Sequence, residues 1–416
     1  MKPPRSAAHP VEPVPVSDRI TALDALRGFA LLGVLVVHAN QLATNVSTPS
    51  ADAGLMINAG VDLWADRFVR IFVEGKAQTL FTVLFGVSFA IQLARLESRL
   101  DDAASVYRRR LLGLLVIGAL HILVLSSRDI LLFFAIGGYV LLLVRSWETR
   151  ALVGFGSLLA LVVMPTASLV DVTGPGTQQL GTLGNINLPA LYQYGSYLDI
   201  LEIRWPTIWF VHRPVFTLLT FGVYVVGRFM LGVAVIRTVV LTEPARYRGA
   251  VQWTAAIALV AGIVLTESVT IARFGESVDW IGHSELWRLL ALYLQQAGTL
   301  LLAAGYAALF ALAWQADLWR RLLSIFAPIG QMAVTNYLLQ SVFLALVFYG
   351  FGLGLLGRLG STWCLLVALG FFSLQCILSH LWMRSFQFGP VEWLWRAWTY
   401  SKRPPWRRAS RNSAGT

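Results

Sequence analysis

Run after run of about twenty apolar residues, each nearly free of charge, constrains this chain more than any other feature. A helix of that length rises far enough to cross roughly 30 Å of bilayer hydrocarbon, whereas barrel strands would be about ten residues long and alternate in polarity. Such runs fall at 21–43, 78–96, 109–126, 130–145, 151–171, 215–240, 251–271, 287–313, 325–349 and 362–383. Composition agrees: 56% of the 416 residues are hydrophobic, mean hydropathy is +0.65, and 13% are charged. Soluble domains carry about a quarter. The expected fold is all-α, a polytopic membrane protein of about ten transmembrane helices with short interfacial helices.

Residues 1–19 hold Pro3, Pro4, Pro10, Pro13 and Pro15 with no apolar core, the pattern of a disordered cytoplasmic leader and not of a cleavable signal. Residues 20–400 then form a single transmembrane domain and 401–416 a basic cytoplasmic tail. Residues 61–72 alternate charge with Trp64, Phe68 and Phe72, which suits an amphipathic helix lying in the interface. The stretch 172–213 is the longest loop between spans, and Tyr197, Trp205 and Trp209 suit an interface belt there.

A net charge of +11 would suggest nucleic acid in a soluble protein, but here the basic residues lie between spans. Of the 33 Lys and Arg, 22 fall on one set of alternate loops and nine on the other; Arg27 and Arg228 lie within spans. That bias predicts both termini in the cytoplasm and a cytoplasmic (inner) membrane location, with no nucleic-acid partner. Cys364 and Cys376 share one apolar run without metal-ligand spacing and read as packing residues.

Ionisable groups inside a bilayer are costly, so each asks for a reason. Arg27 and His38 stand eleven positions apart, close to three helical turns, so both leave one face of the first span. Asp24 and Arg27 are spaced as an ion pair, and the guanidinium also suits bidentate capture of a phosphate. His38 reads either as a base that takes a proton from an attacking hydroxyl or amine, or as an interfacial imidazole bonded to a backbone carbonyl.

His121 and Asp129 flank a tight hairpin between the third and fourth spans, close enough for the carboxylate to fix the imidazole tautomer; Asp129 as a simple helix cap is the alternative. Glu74 and Lys76 precede the second span, at the same cavity or at a solvated helix start. Arg228 and Glu267 suit a buried ion pair. Thr335, Asn336 and Gln340 give one helix a polar seam, for interhelical hydrogen bonds or for substrate. No Walker loop, dinucleotide fingerprint or HExxH is present, and no metal site is expected.

Several of these segments resemble the YeiB family of bacterial multi-pass membrane proteins, whose C-terminal half is a domain of unknown function. They are Leu23-Asp24-Ala25-Leu26-Arg27-Gly28, Glu74-Gly75-Lys76 with Leu84-Phe85-Gly86, and His121 with Asp129-Ile130-Leu131. Toward the C-terminus follow the run from Gly330-Gln331-Met332 through Thr335-Asn336-Tyr337 to Gln340-Ser341, and Gly389-Pro390-Val391-Glu392-Trp393. The first span is also similar to that of the transmembrane acyltransferases, in whose sugar-decorating members an Arg, ten residues and a His recur.

That resemblance implies acyl transfer from a cytoplasmic thioester, with acyl-CoA as co-substrate and no tightly bound cofactor. The acceptor would be a hydroxyl or amine of a sugar, lipid or small molecule on the outer side. Arg27 would steer the donor. His121, which YeiB-like relatives share, would be the base ahead of His38, where relatives often carry Asn, with Asp129 as its orienter. A transporter or flippase of a small or lipid-linked substrate, and a non-catalytic membrane subunit, remain open alternatives, as does the oligomeric state.

Overall fold

Helices occupy all ten apolar runs in the computed structural model, which describes residues 21–44, 59–126, 129–172, 182–183, 186–208, 216, 218–238, 247–274 and 285–408. The leader 1–19, Trp209 and the end of the tail lie outside the described residues. The first half holds α1 (Thr21–Thr44), α2 (Ala59–Phe68), α3 (Lys76–Glu97), α4 (Ala103–Val124), α5 (Leu131–Val144) and α6 (Thr149–Val172). A π-helical turn, Val69–Val73, extends α2.

A two-residue hairpin pairs β1 (Thr182–Leu183) with β2 (Ile186–Asn187), followed by α7 (Leu188–Tyr194) and α8 (Tyr197–Pro206). The second half comprises α9 (Val223–Arg237), α10 (Arg248–Phe274), α11 (Glu285–Ala313), α12 (Asp317–Leu323), α13 (Ala327–Gln331), α14 (Ala333–Phe348), α15 (Ser361–Ser385) and α16 (Pro390–Tyr400).

Among the described residues six helices are long and apolar enough to cross a membrane, or seven if the bent pair α12–α13 and α14 counts as one span. Helices α5 and α6 are apolar but shorter, and α4 opens with Arg108, Arg109 and Arg110. Where 172–213 reads as a loop, α7 and α8 form. A reciprocal capping box closes the N-terminus of α8, with Ser196 accepting from the Asp199 amide and Asp199 from the Ser196 amide.

The surface suits a lipid environment. Trp253, Ile257, Val260 and Val264 form one exposed stripe of α10, and Leu366, Leu374, Ile377 and Leu381 are exposed on α15. Helix α2 is turned with its polar side inward: the Asp62 carboxylate accepts from the Thr362 amide at 2.8 Å and Asp66 from Asn40 Nδ2 at 2.8 Å, while Leu63, Trp64 and Phe68 face out. In water that arrangement would be upside down. The chain is a multi-pass membrane protein.

Inside, α1, α3, α4, α5, α9 and α13–α15 enclose a common core. Phe81, Phe85, Phe134 and Phe229 stack through it at centroid separations of 4.6–5.8 Å. Helices α10 and α11 pack chiefly on each other, and α11 joins the bundle along α3 and α6. Lipid tails are as apolar as the side chains, so close packing holds such helices together more than water exclusion does. The tightest crossing is that of α1 with α13, where a Cβ on Gly330 would stand 1.8 Å from the Asp24 carbonyl oxygen and one on Gly28 2.1 Å from that of Phe326.

Just past this crossing the backbone leaves helical geometry at Met332 (φ −110°, ψ 36°), and the two halves of the span meet at 82°. The N-terminal amides that the break leaves on α14 are not orphaned. Glu392 of α16 accepts from the Val334 and Thr335 amides at 2.7 and 3.1 Å, and the Thr335 hydroxyl accepts from the Val391 amide at 3.2 Å. Two helix N-termini thus cap each other.

Candidate functional site

His121 ends α4. Its carbonyl takes the amides of both Leu125 and Ser126 at 2.9 Å, closing the helix and turning the chain back toward α5. Asp129 then opens α5 with one oxygen and serves His121 with the other: Oδ2 accepts from the Leu132 amide at 2.7 Å, and Oδ1 lies 2.8 Å from His121 Nδ1. Asp129 thus makes one contact with each oxygen, to the start of α5 and to the imidazole. The approach is possible because residue 118 is glycine; a Cβ there would lie 2.5 Å from the Leu132 amide nitrogen and 3.0 Å from Asp129 Oδ2.

With Nδ1 directed at the carboxylate, Nε2 is left to accept, and it meets the Ser341 hydroxyl of α14 at 2.9 Å. Tyr337, one turn earlier on α14, stands against the imidazole with ring centroids 5.3 Å apart and donates its hydroxyl to Asp129 Oδ1 at 3.5 Å. His121 and Asp129 are buried and Ser341 is half-buried, so the hydroxyl is the accessible member of the row. Carboxylate, imidazole and hydroxyl in a hydrogen-bonded row is the arrangement with which enzymes deprotonate an alcohol.

Toward the basic end of the same bundle lies a cavity of about 200 Å³. Arg27, Arg95, Arg110 and Arg396 reach it with Asp24 and Glu392, and Phe81, Phe85, Leu114 and Phe134 line its apolar wall. Arg27 is bound three ways, to Asp24 at 2.8 Å, to the Ser88 hydroxyl of α3 at 2.7 Å and to the Gly330 carbonyl of α13 at 3.2 Å. Arg110 lies over the Trp395 ring, 3.9 Å from its centroid. Burial pushes the Glu392 carboxyl above its ordinary value, against the opposing pull of the Thr335 hydroxyl and the backbone amides of Thr335, Glu392 and Val334.

The cavity and the His121 site share elements. Leu131 lines the cavity two residues after Asp129, and Val334 lines it on the same face of α14 as Tyr337 and Ser341. Arg110 and His121 are eleven positions apart on α4, about 16 Å of rise, the same interval as Arg27 to His38 on α1.

The remaining sequence candidates stand elsewhere. His38 is half-buried on α1 and does not line the cavity. Lys76 is buried and donates to the Arg70 carbonyl at 2.9 Å, while Glu74 accepts from Gln41 at 3.4 Å; both sit at the junction of the π-helical turn with α3 and do not line the cavity. Asn336 and Gln340 bond across to α15: Asn336 Nδ2 donates to Ser379 at 3.1 Å and Gln340 Nε2 to Gln375 Oε1 at 3.0 Å. Arg228 does not pair with Glu267; its Nε donates to Thr79 at 3.0 Å, Nη2 to Gln296 at 3.4 Å, and its guanidinium lies over the Tyr224 ring.

Ser341 escapes sequence reasoning as a site residue, since it stands in an apolar helix 220 positions from His121. Arg204 of α8 does as well: buried beside the same hairpin, it donates to the Leu125 carbonyl at 3.5 Å, while Nε and Nη1 have no hydrogen-bond partner among the described residues. Among the described residues no group of three or more His, Cys, Asp or Glu is placed to hold a metal ion.

Comparison with known proteins gives several relatives. Residues 235–402 match the family described as "Protein of unknown function (DUF418)". The chain is 29% identical to "Uncharacterized protein YxaH" of Bacillus subtilis (strain 168), across 94% of this chain and 96% of the relative. It is 26% identical to "Uncharacterized protein YeiB" of Escherichia coli (strain K12), across 92% and 96%. No solved structure matches. The family match covers the C-terminal part, and the similarity to YxaH and YeiB runs along nearly the whole chain.

Proposed function

We propose that the protein is a membrane acyltransferase, moving an acyl group from a cytoplasmic acyl thioester, with acyl-CoA as the donor class, to a hydroxyl or amine at the opposite side. The observation that carries this reading is the His121 imidazole, fixed on one side by Asp129 at 2.8 Å and already holding a hydroxyl on the other at 2.9 Å. The guanidiniums of Arg27, Arg95, Arg110 and Arg396 would receive the donor's phosphates, and the phenyl-lined wall its apolar part. The two unspent donors of Arg204 favour an acceptor with an anionic group. The bias of basic loops supports an inner-membrane protein with both termini in the cytoplasm and ten spans.

The test is transfer of labelled acyl groups from acyl-CoA by the purified full chain in nanodiscs. Replacing His121 with Gln is expected to lower turnover by roughly a hundredfold or more, the usual contribution of a general base. Arg27→Ala should raise the concentration of acyl-CoA needed for half-maximal rate. Undiminished transfer in a His38, His121 double alanine variant would sink the mechanism.

One observation favours a second reading. The 82° break beside Arg27 has the form of the interrupted helices that line transport sites. Counterflow of an unmodified substrate in proteoliposomes, with no acyl-CoA consumed, would select transport.

A further inference from the structure

We infer that Ser341 is itself the first acyl acceptor, so that transfer passes through a serine ester on α14 instead of going directly from donor to acceptor. This rests on the acyltransferase reading and deepens it. The argument begins with the row of contacts. Ser341 Oγ is 2.9 Å from His121 Nε2, and His121 Nδ1 is 2.8 Å from Asp129 Oδ1. A serine that only satisfied its helix would bond the carbonyl four residues back, and Ser341 does so poorly, at 3.4 Å to Tyr337. Ser88, Thr79 and Thr82 show the ordinary form of that bond at 2.6 Å. The hydroxyl of Ser341 is therefore committed to the imidazole.

Burial points the same way. Asp129 and His121 are enclosed, and Ser341 is the half-buried member of the row. Three hydrogen-bond donors, the His121 ring, Tyr337 and the Leu132 amide, surround the Asp129 carboxylate and hold it in place beside the imidazole. Asp129 is thus a positioning residue, and Ser341 and His121 are the groups that touch the reacting atoms.

The step balances without any further reagent. Ser341 Oγ attacks the thioester carbonyl as its proton passes to His121 Nε2. The carbon–sulfur bond breaks, the departing thiolate takes that proton, and the acyl group remains on Oγ as an ester. An acceptor hydroxyl or amine then attacks the ester while giving its proton to Nε2. The bond from carbon to Oγ breaks, and Oγ recovers the proton.

The experiment treats the purified full chain in nanodiscs with a fluorophosphonate probe, which forms a stable phosphonate ester with activated serines, and locates the adduct by peptide mass spectrometry. Ser341 should be labelled, His121→Gln should slow labelling at least a hundredfold, and heat-denatured protein should not react at that position. A fold defect in Ser341→Ala leaves this readout intact, because the serine is still present in the His121 variant. Incubation with labelled acyl-CoA and no acceptor should also leave an ester on Ser341.

Absence of any Ser341 adduct, or one formed equally fast without His121, overturns the inference. Acyl transfer at the parental rate in a folded Ser341→Ala protein overturns it too, and leaves the acyltransferase reading standing with His121 as a direct base. His121-dependent labelling with no consumption of any acyl thioester gives the opposite result, an activated serine that works on another ester or amide.

Discussion

Asp129 divides its two oxygens between a helix start and an imidazole, and that division explains why so small a change as a methyl group matters nearby. Gly118→Ala would press on Asp129 Oδ2 and on the Leu132 amide together, tilting the carboxylate away from His121. Misplacement by about 1 Å costs roughly a hundredfold in rate. The expected outcome is a fall in kcat of about that size with KM near the parental value, measured by acyl transfer. Glu392 gives a pH prediction outside the spans. Its folded carboxyl lies above the ordinary value, so the native state holds this proton more firmly than the unfolded chain does. The stability linked to the group is complete below the ordinary glutamate value of about 4.3 and declines as pH rises through the folded value. Thermal unfolding of the wild type should therefore lose ground to Glu392→Gln as pH increases over that window. His121 and Asp129 were legible in the sequence because they flank one hairpin. Ser341 was not, since 220 positions separate it from His121 and a lone serine in an apolar helix carries no signal of its own.

Helix α14 bonds to three different partners from three sides. Thr335 meets α16, Asn336 and Gln340 meet α15, and Tyr337 and Ser341 meet the hairpin. The polar seam was legible as a seam; what each member faces depends on neighbours that come from distant parts of the chain. The break at Met332 was hidden for a related reason, because hydropathy runs unbroken through 325–349 and only the partner helix α16 makes the exposed amides tolerable. Precise alignment of α14 in turn requires the contact of α13 with α1. Gly330→Ala is expected to destabilise the purified protein by about 1–3 kcal/mol, the usual cost of overpacking, seen as a lowered Tm. Gly370→Ala is the control, since a Cβ there meets nothing within 4 Å.

For the molecule as a whole, the membrane class and the positions of the long apolar helices followed from hydropathy, because lipid imposes the same demand on every span, whereas those of α7 and α8 did not. Which spans touch one another did not follow, since lipid-facing and partner-facing apolar residues look alike in sequence. The exposed stripe on α10 makes the point testable. Ile257→Arg should impair membrane insertion by about 2.5–3.5 kcal/mol, read as a reduced inserted fraction in a glycosylation-mapping assay, although it removes no contact with the core.

Arg27 has a consequence at this largest scale. Its side chain ties α1 to α3 through Ser88 and to α13 through the Gly330 carbonyl, and α13 continues past the bend into the helix that bears Ser341. An anion that draws the guanidinium away exchanges those tethers for its own oxygens, so its arrival alters the mooring of the serine helix. By thermodynamic reciprocity, whatever fixes that helix also alters the hold on the anion. On the proposed reading, the arginine would couple occupancy of the cavity to the placement of the helix that carries Ser341.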